Sequence, residues 1–246
     1  MEKYYRKQIT VGDTQVNAFD RLKNSQLLAI LQEAAGEHGA LLGVDKDSLL
    51  KKKLFWALIR YHIEITRLPR SGEVITVETW PMPTTRTAYP RATVAYDADG
   101  NELFRGISLF VLVNFETRAM VLPAFSGVEV NGWVRGNELA MPGSLLPKAL
   151  ENSESRVVRF SDLDFNGHMN NCRYMQWVDD LLGADFHADH SPREMVICYH
   201  SEAREGETVE MSWALENGAV LCVDARREAE SAAMGHGRVF SVQLRF

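Results

Sequence analysis

The stretch Asp162-Leu-Asp-Phe-Asn-Gly-His-Met-Asn-Asn-Cys-Arg-Tyr174 changes rhythm half-way along. Asp164, Asn166 and His168 alternate with Leu163, Phe165 and Gly167, the two-residue repeat of an extended segment. Tyr174, Trp177, Val178, Leu181 and Leu182 then follow a helical repeat, with Asn170 or Asn171 placed to cap its start and Gly183 near its end. One extended run thus offers a carboxylate, an amide and an imidazole just ahead of a helix. The helix start adds free backbone N–H groups, which favour developing negative charge. That set of parts suits hydrolysis of an activated acyl group.

The same order of elements stands earlier in the chain. Leu27, Leu28, Ile30, Leu31, Ala34, Ala35 and His38 keep a helical rhythm, with Asn24 or Ser25 as cap and Gly43 as stop. Gly36 and Gly39 cost this helix stability, so they are expected to permit close approach to a sheet. Strands follow. Ile59, Tyr61, Ile63 and Ile65 alternate with Arg60, His62, Glu64 and Thr66. Ser71-Gly72 turns into a strand ending at Trp80, Asp97-Ala-Asp-Gly100 turns into the apolar run Leu103 to Val113, and Asn114 to Arg118 leads to Met120-Val-Leu122. In the later half Tyr199-His-Ser-Glu202 matches Tyr61-His-Ile-Glu64, so that Glu64 is the expected counterpart of Glu202. Gly206 to Trp213 matches Gly72 to Trp80, Glu216-Asn-Gly218 is a further hairpin turn, and Val239 to Phe246 alternates like a closing strand. This recurrence predicts an internal duplication: an α+β fold with one helix packed on each antiparallel sheet. Between the halves, glycine and proline punctuate a weaker pattern. The expected division is a first unit over 1–125, a linker over 126–153 and a second unit over 154–246.

A chain of 246 residues, 46% hydrophobic, can bury a substantial core, as one large domain or two small ones. The polar Met1-Glu-Lys-Tyr-Tyr-Arg-Lys-Gln8 does not read as a signal peptide, and no apolar run reaches the roughly 20 residues of a membrane span. Cys172, Cys198 and Cys222 are few and widely spaced, which reads as reduced thiols in a cytoplasm. A net charge of −6 argues against nucleic acid as main partner. Lys51, Lys52 and Lys53 with Arg60, Arg67 and Arg70 form a local basic stretch that otherwise reads as a solvated face. No Gly-x-Ser-x-Gly elbow or phosphate-binding glycine loop is present, and His187-Ala-Asp-His190 offers too few ligands for zinc.

On these residues the chain resembles the acyl-acyl carrier protein thioesterases, the enzymes that end fatty acid synthesis by releasing the free acid. The motif Asp162 to Tyr174 carries most of the likeness. Trp56, the Arg60 strand, Thr66-Arg-Leu-Pro69, Gly72-Glu-Val74, Thr79-Trp80, Asn114, Thr117 and Arg118 add to it. The resemblance implies two tandem hotdog units, each a long helix wrapped by an antiparallel sheet, with no cofactor. It places the functional residues in the second unit, at Asp164, Asn166, His168 and Glu202. Plant members carry a cysteine directly after that glutamate, where Ala203 stands here; Gly167, where glutamine is common, is expected to loosen the backbone slightly. Asp164 would be the base that activates water, or the direct nucleophile. Asn166 would donate to the carbonyl oxygen or orient the carboxylate. His168 would protonate the leaving thiolate or orient a carboxylate, with Glu202 polarising water or positioning His168.

Each of these residues also has a structural reading: turn or cap for Asp164, hydrogen bonder for Asn166, exposed strand carboxylates for Glu202 and Glu64. The first half has no Asp-x-Asn-x-His run; its matching region is Phe19-Asp-Arg-Leu-Lys-Asn-Ser25. One active site per chain is therefore expected, with the first unit holding the acyl tail along Leu27, Leu28 and Leu31. Acidic carrier protein would dock on Lys51, Lys52, Lys53, Arg60, Arg67 and Arg70. Hydrolysis of acyl-coenzyme A, a hotdog hydratase or dehydratase, and a non-catalytic acyl-binding module are the other readings. A monomer and a homodimer both fit.

Overall fold

A computed structural model describes residues 3–227 and 237–246. The first unit, Met1–Pro142, opens with β1 (Tyr5–Thr10) and the helix α1 (Asn24–Leu41), followed by α2 (Lys46–Leu50). Then come β2 (Leu54–Ile65), β3 (Val74–Pro81), β4 (Tyr89–Tyr96), β5 (Glu102–Asn114), β6 (Met120–Val121) and the short α3 (Pro123–Ser126). The strands pair antiparallel in the order β1-β3-β4-β5-β2, with β6 on the side of β5. α1 buries Leu27, Leu28, Ile30, Leu31, Ala34 and His38.

Several local expectations need correction. The cap of α1 is Lys23, with no side-chain hydrogen bond, so Asn24 is the first helical residue and not the cap. The helix does stop at Gly43, which sits at φ 70°. Val44 N–H donates to the Gly39 carbonyl at 2.9 Å and Gly43 N–H to the Ala40 carbonyl at 3.1 Å, the paired bonds of a Schellman end. Gly36 and Gly39 do not meet the sheet: a Cβ at Gly36 would find nothing within 4 Å, and at Gly39 only Val44. The close approach is made by a glycine on the sheet instead. A Cβ on Gly106 of β5 would lie 3.0 Å from Ile63 and 3.4 Å from Leu31 of α1. The alternation of β2 runs through Tyr61, Ile63 and Ile65 but fails at Ile59, because a bulge between Leu58 and Arg60 shifts the register.

The second unit, Gly143–Phe246, holds β7 (Asn152–Val157), α4 (Asn171–Asp179), α5 (Ala184–Asp189), β8 (Glu194–Tyr199), β9 (Thr208–Glu216), β10 (Val220–Arg227) and β11 (Arg238–Arg245). Its strands pair antiparallel in the order β8-β11-β10-β9-β7. The helix here is shorter than a long hotdog helix, nine residues against eighteen in α1. Asp179 and Asp180 end it; carboxylates are disfavoured where the helix dipole is negative. Its buried face is Tyr174, Met175, Trp177 and Val178, with Tyr174 packed 4.7 Å from Phe240, ring to ring.

Matching hydrogen bonds show which residues correspond between the units. Thr66 and Arg67 N–H both donate to the Leu103 carbonyl, as His200 and Ser201 N–H both donate to Val239. Leu22 N–H donates to Pro69 as Met169 N–H does to Ala203, and Gly72 N–H to Val11 as Gly206 N–H does to Val158. In this register the counterpart of Glu202 is Leu68, a buried residue 6% exposed, and not Glu64. The short match of Tyr61–Glu64 with Tyr199–Glu202 was out of step by four residues. Trp80 and Trp213 do not correspond either: Thr79 pairs with Tyr5 of β1 as Trp213 pairs with Asn152 of β7, and of the two tryptophans Trp80 is the fully buried one.

The stretch expected as a linker is held to both sheets. Trp133 N–H donates to the Pro81 carbonyl at 2.9 Å, and Arg135 stacks 4.0 Å above Trp80 while bonding Glu78 at 2.7 Å. In the second unit the Leu145 carbonyl accepts from Arg238 at 2.8 Å, and Lys148 bonds Glu216 at 3.0 Å.

Candidate active site

The extended run of the motif folds back on itself. Leu163 and Met169 form an antiparallel bridge. Asp164 N–H donates to the His168 carbonyl at 2.8 Å, and Gly167 N–H to the Asp164 carbonyl at 3.0 Å. The result is a tight hairpin loop with Gly167 in the left-handed region, at φ 75°. Glycine at this position fits the turn and does not loosen it, since a positive φ costs glycine nothing. The first unit builds the same loop from different residues: Val16 bridges Leu22, the Asn17 side chain accepts from Phe19 and Arg21 N–H, and Asp20 takes the positive φ. Asn17, Phe19, Arg21 and Leu68 thus stand where the second unit has Asp164, Asn166, His168 and Glu202.

The loop fixes the Asp164 carboxylate. Its Oδ1 accepts from Asn166 N–H at 2.8 Å and His168 N–H at 3.4 Å, and its Oδ2 from Asn166 Nδ2 at 3.3 Å. The bonds that make the turn also orient the Asp164 carboxylate, so a turn-forming role leaves room for a chemical one. Of the two roles open to Asn166, this geometry matches the orienting one. Asp164 is half-buried and Asn166 exposed.

Glu202 arrives from elsewhere in the chain. It does not lie on a strand, because β8 ends at Tyr199 and both following amides turn to the Val239 carbonyl. In that turn its Oε2 stands 3.1 Å from His168 Nε2, with the two side chains 37% and 17% exposed. The four proposed residues thus form two pairs, Asp164 with Asn166 and His168 with Glu202, linked by the His168 amide on Asp164.

The start of α4 offers less than expected. Asn170 is the cap, its Oδ1 accepting from Cys172 N–H at 2.8 Å, and its carbonyl accepts from Arg173 N–H at 2.9 Å. Those amides are spent on the cap and not left free for an anion. Asp162 braces the hairpin from behind, a role its position in the motif did not reveal. Its Oδ2 accepts from Arg159 N–H at 2.9 Å and its carbonyl from Asn170 N–H at 2.8 Å. Ala203, in place of the plant cysteine, is fully buried.

Leu27, Leu28 and Leu31 are buried beneath α1. The same helix also buries His38. Arg91 on β4, 8% exposed, reaches His38 Nδ1 at 3.1 Å and Thr79 Oγ1 at 3.3 Å. Burial pushes this guanidinium down to about 10. In the basic stretch, Lys52 bonds the Gly127 carbonyl, Lys53 lies 3.0 Å from Glu116, Arg60 3.2 Å from the Pro142 carbonyl and Arg67 2.8 Å from Glu73. Lys51 and Arg70 are exposed. Among the described residues no cluster of His, Cys, Asp and Glu has the makings of a metal site, and no helix is long and apolar enough to cross a membrane.

Comparison with known proteins covers most of the chain. The model of the acyl-ACP thioesterase N-terminal domain matches residues 2–122, and that of the C-terminal domain matches residues 147–237. The oleoyl-acyl carrier protein thioesterase 1 of Arabidopsis thaliana, a chloroplastic protein, is 25% identical over 235 residues, 85% of this chain. The chain spans 62% of the length of that relative. The crystal structure of an acyl-ACP thioesterase from Bacteroides thetaiotaomicron superposes with a TM-score of 0.89 at 22% identity, covering 99% of this chain and 98% of that one. The 12:0-ACP thioesterase from Umbellularia californica superposes with a TM-score of 0.82 at 20% identity, covering 100% and 97%. The fold is the double hotdog of these structures, and with both of its halves matched the chain belongs to the acyl-ACP thioesterase family.

Proposed function

We propose that this chain hydrolyses the thioester between a fatty acyl chain and an acyl carrier protein, giving free fatty acid and the carrier thiol. The observation that carries this reading is the convergence of Asp164 with Asn166 and of His168 with Glu202 in the second unit. In the proposed reaction a water oxygen bonds to the thioester carbon while Asp164 takes the water's proton. The carbon–sulfur bond then breaks, and His168, steadied by Glu202, supplies a proton to the departing thiolate. On the alternative route the Asp164 carboxylate attacks the carbon itself and water cleaves the resulting anhydride. In a single turnover in oxygen-18 water, label found in Asp164 marks the second route, with water attacking the aspartyl carbon of the anhydride.

The fatty acyl tail would lie between α1 and the first sheet, along Leu27, Leu28 and Leu31. The carrier protein would dock on Lys51, Lys52, Lys53, Arg60, Arg67 and Arg70, of which Lys51 and Arg70 are the least engaged within the chain. Three cysteines outside any disulfide fit the reducing cytoplasm as the site of action.

The test is mass spectrometry of an acyl-carrier-protein panel after incubation with the protein, with matched acyl-coenzyme A in parallel. Free acid mainly from carrier protein supports the proposal. Acid mainly from coenzyme A moves the same chemistry to another carrier, and a hydrated or unsaturated thioester in place of free acid sinks hydrolysis. Asp164→Ala should lower turnover by ~10²–10⁴-fold in a folded protein.

A further inference from the structure

The turn that carries Glu202 is held by an arginine that no motif contains. After Tyr199 the chain leaves the sheet, because His200 and Ser201 N–H both go to the carbonyl of Val239, at 2.8 and 3.2 Å. Val239 is the extra residue where the register of β10 and β11 shifts beside Ala225 and Arg226. A bulge of this kind re-aims neighbouring side chains, and the next residue on β10 is Arg227. Its guanidinium side chain is 13% exposed. Nε donates to Glu207 Oε2 at 3.0 Å, Nη1 donates to Ser201 Oγ at 2.9 Å, and Nη2 donates to the carbonyl of Glu202. Ser201 Oγ in turn donates to the Arg238 carbonyl at 2.8 Å. One planar group therefore grips the turn before, at and after the residue whose carboxylate faces His168.

The first unit shows that this is not a general requirement of the fold. There the guanidinium stands on the turn itself: Arg67, in the place of Ser201, bonds Glu73 at 2.8 Å and lies 3.8 Å from Asp97. Asp97 follows Tyr96 at the end of β4 as Arg227 follows Arg226 on β10, and the Arg67 side chain is 44% exposed. The cation moves from the turn in the first unit to the strand in the second. In the second unit the cation sits on the rigid strand and the turn is left to present Glu202; in the first unit the corresponding residue is Leu68 and presents nothing.

We propose that Arg227 is a positioning residue of the active site, holding the 200–207 turn so that Glu202 meets His168. It acts through Glu202 and does not touch the reacting atoms. This rests on the reading of His168 and Glu202 as a working pair in thioester hydrolysis. An ammonium cannot replace the guanidinium, because three divergent acceptors need a planar fork and not a point charge.

Arg227→Lys, Glu202→Gln and the double variant, each checked for folding by its thermal transition, are to be compared with the intact chain on acyl carrier protein thioester. Arg227→Lys should lower kcat by ~10–100-fold with KM within about twofold, since misplacing a catalytic group by about 1 Å costs of that order. The double variant should be no slower than Glu202→Gln alone, and the nitrogen-15 resonance of His168 Nε2 in Arg227→Lys should move toward its position in Glu202→Gln. Ser201→Ala, which removes one of the anchors, should show the same resonance shift to a smaller degree and serves if Arg227→Lys does not fold. A folded Arg227→Lys with wild-type kcat, losses that multiply in the double variant, or an unmoved His168 resonance in Ser201→Ala would overturn the proposal while leaving the pair intact. Full turnover by Glu202→Gln would overturn the reading of the pair, and the role of Arg227 with it.

Discussion

At the scale of single residues, asymmetry between the units is the main result. Each proposed catalytic position of the second unit has a structural counterpart of different chemistry: Asn17 for Asp164, Phe19 for Asn166, Arg21 for His168 and Leu68 for Glu202. Glu64, which looked like a second Glu202 by local likeness, lies on β2 and pairs with Arg105 at 3.2 Å. Glu202→Gln should therefore cut turnover by ~10²-fold or more, while Glu64→Gln stays within about twofold of the parent. Steady-state assays of the two variants side by side decide this, and equal losses would mean that both units are catalytic. At Gly167 the prediction concerns the backbone. Gly167→Ala forces a side chain into the left-handed region and should cost about 1 kcal/mol. In a chain of this size that is a drop of roughly 2–4 °C in melting temperature. An unchanged melting temperature would show that the loop relaxes to another turn.

At the scale of elements, α1 and β4 enclose an unusual group. The Arg91 guanidinium is buried against His38 and Thr79, and among the described residues no carboxylate pairs with it. Burial holds its folded value, about 10, below the ordinary value of an arginine. The charged form is penalised at neutral pH, and the penalty is relieved as pH rises through about 10 towards the unfolded value. Replacing a buried charge with an apolar group of similar size is often neutral or stabilising. Arg91→Met should thus hold or raise the melting temperature at pH ~7, as scanning calorimetry would reveal. A fall of more than about 4 °C, beyond what about 1 kcal/mol produces, would mean that the bonds to His38 and Thr79 outweigh the buried charge.

At the scale of the whole molecule, acid stability draws on carboxylates tied down by the fold. Glu73 is one. The hydrogen bond from the Arg67 guanidinium holds its carboxyl below the usual carboxylate range, against the opposing effect of burial. Because the folded value lies below the unfolded one, the stabilisation is present above the unfolded value and is lost as pH falls through the folded value. Glu73→Gln should lower the melting temperature at pH ~7 and converge with the parent near pH ~3, below the ordinary glutamate range of ~4.3. Curves that stay parallel across that window would sink the linkage.

How much of this was legible in the linear chain depended on distance along it. Whatever rests on neighbouring residues could be read: the period of α1 and α4, the glycine stop at Gly43, the hairpin turns, and a polar run ahead of a helix that drew Asp164, Asn166 and His168 together. Their hydrogen bonds span no more than four residues, so local spacing already dictates them. The pairing of His168 with Glu202 was within reach only through family resemblance, and its true setting was not. Whether Glu202 lies on a strand or in a turn is decided by the Val239 carbonyl, which comes from β11. The counterpart of Glu202 in the first unit is Leu68 because sheet register and backbone bonds set the correspondence, and a likeness of four residues carries too little information to fix register. Arg227 gave no sign at all, since it reaches the turn only after β9 and β10 have folded back across the sheet. Sequence alone determined which elements form and which chemistry one short motif can offer; tertiary structure decided which distant side chains reach that motif, because the contacts of an antiparallel sheet are made between residues far apart in the chain.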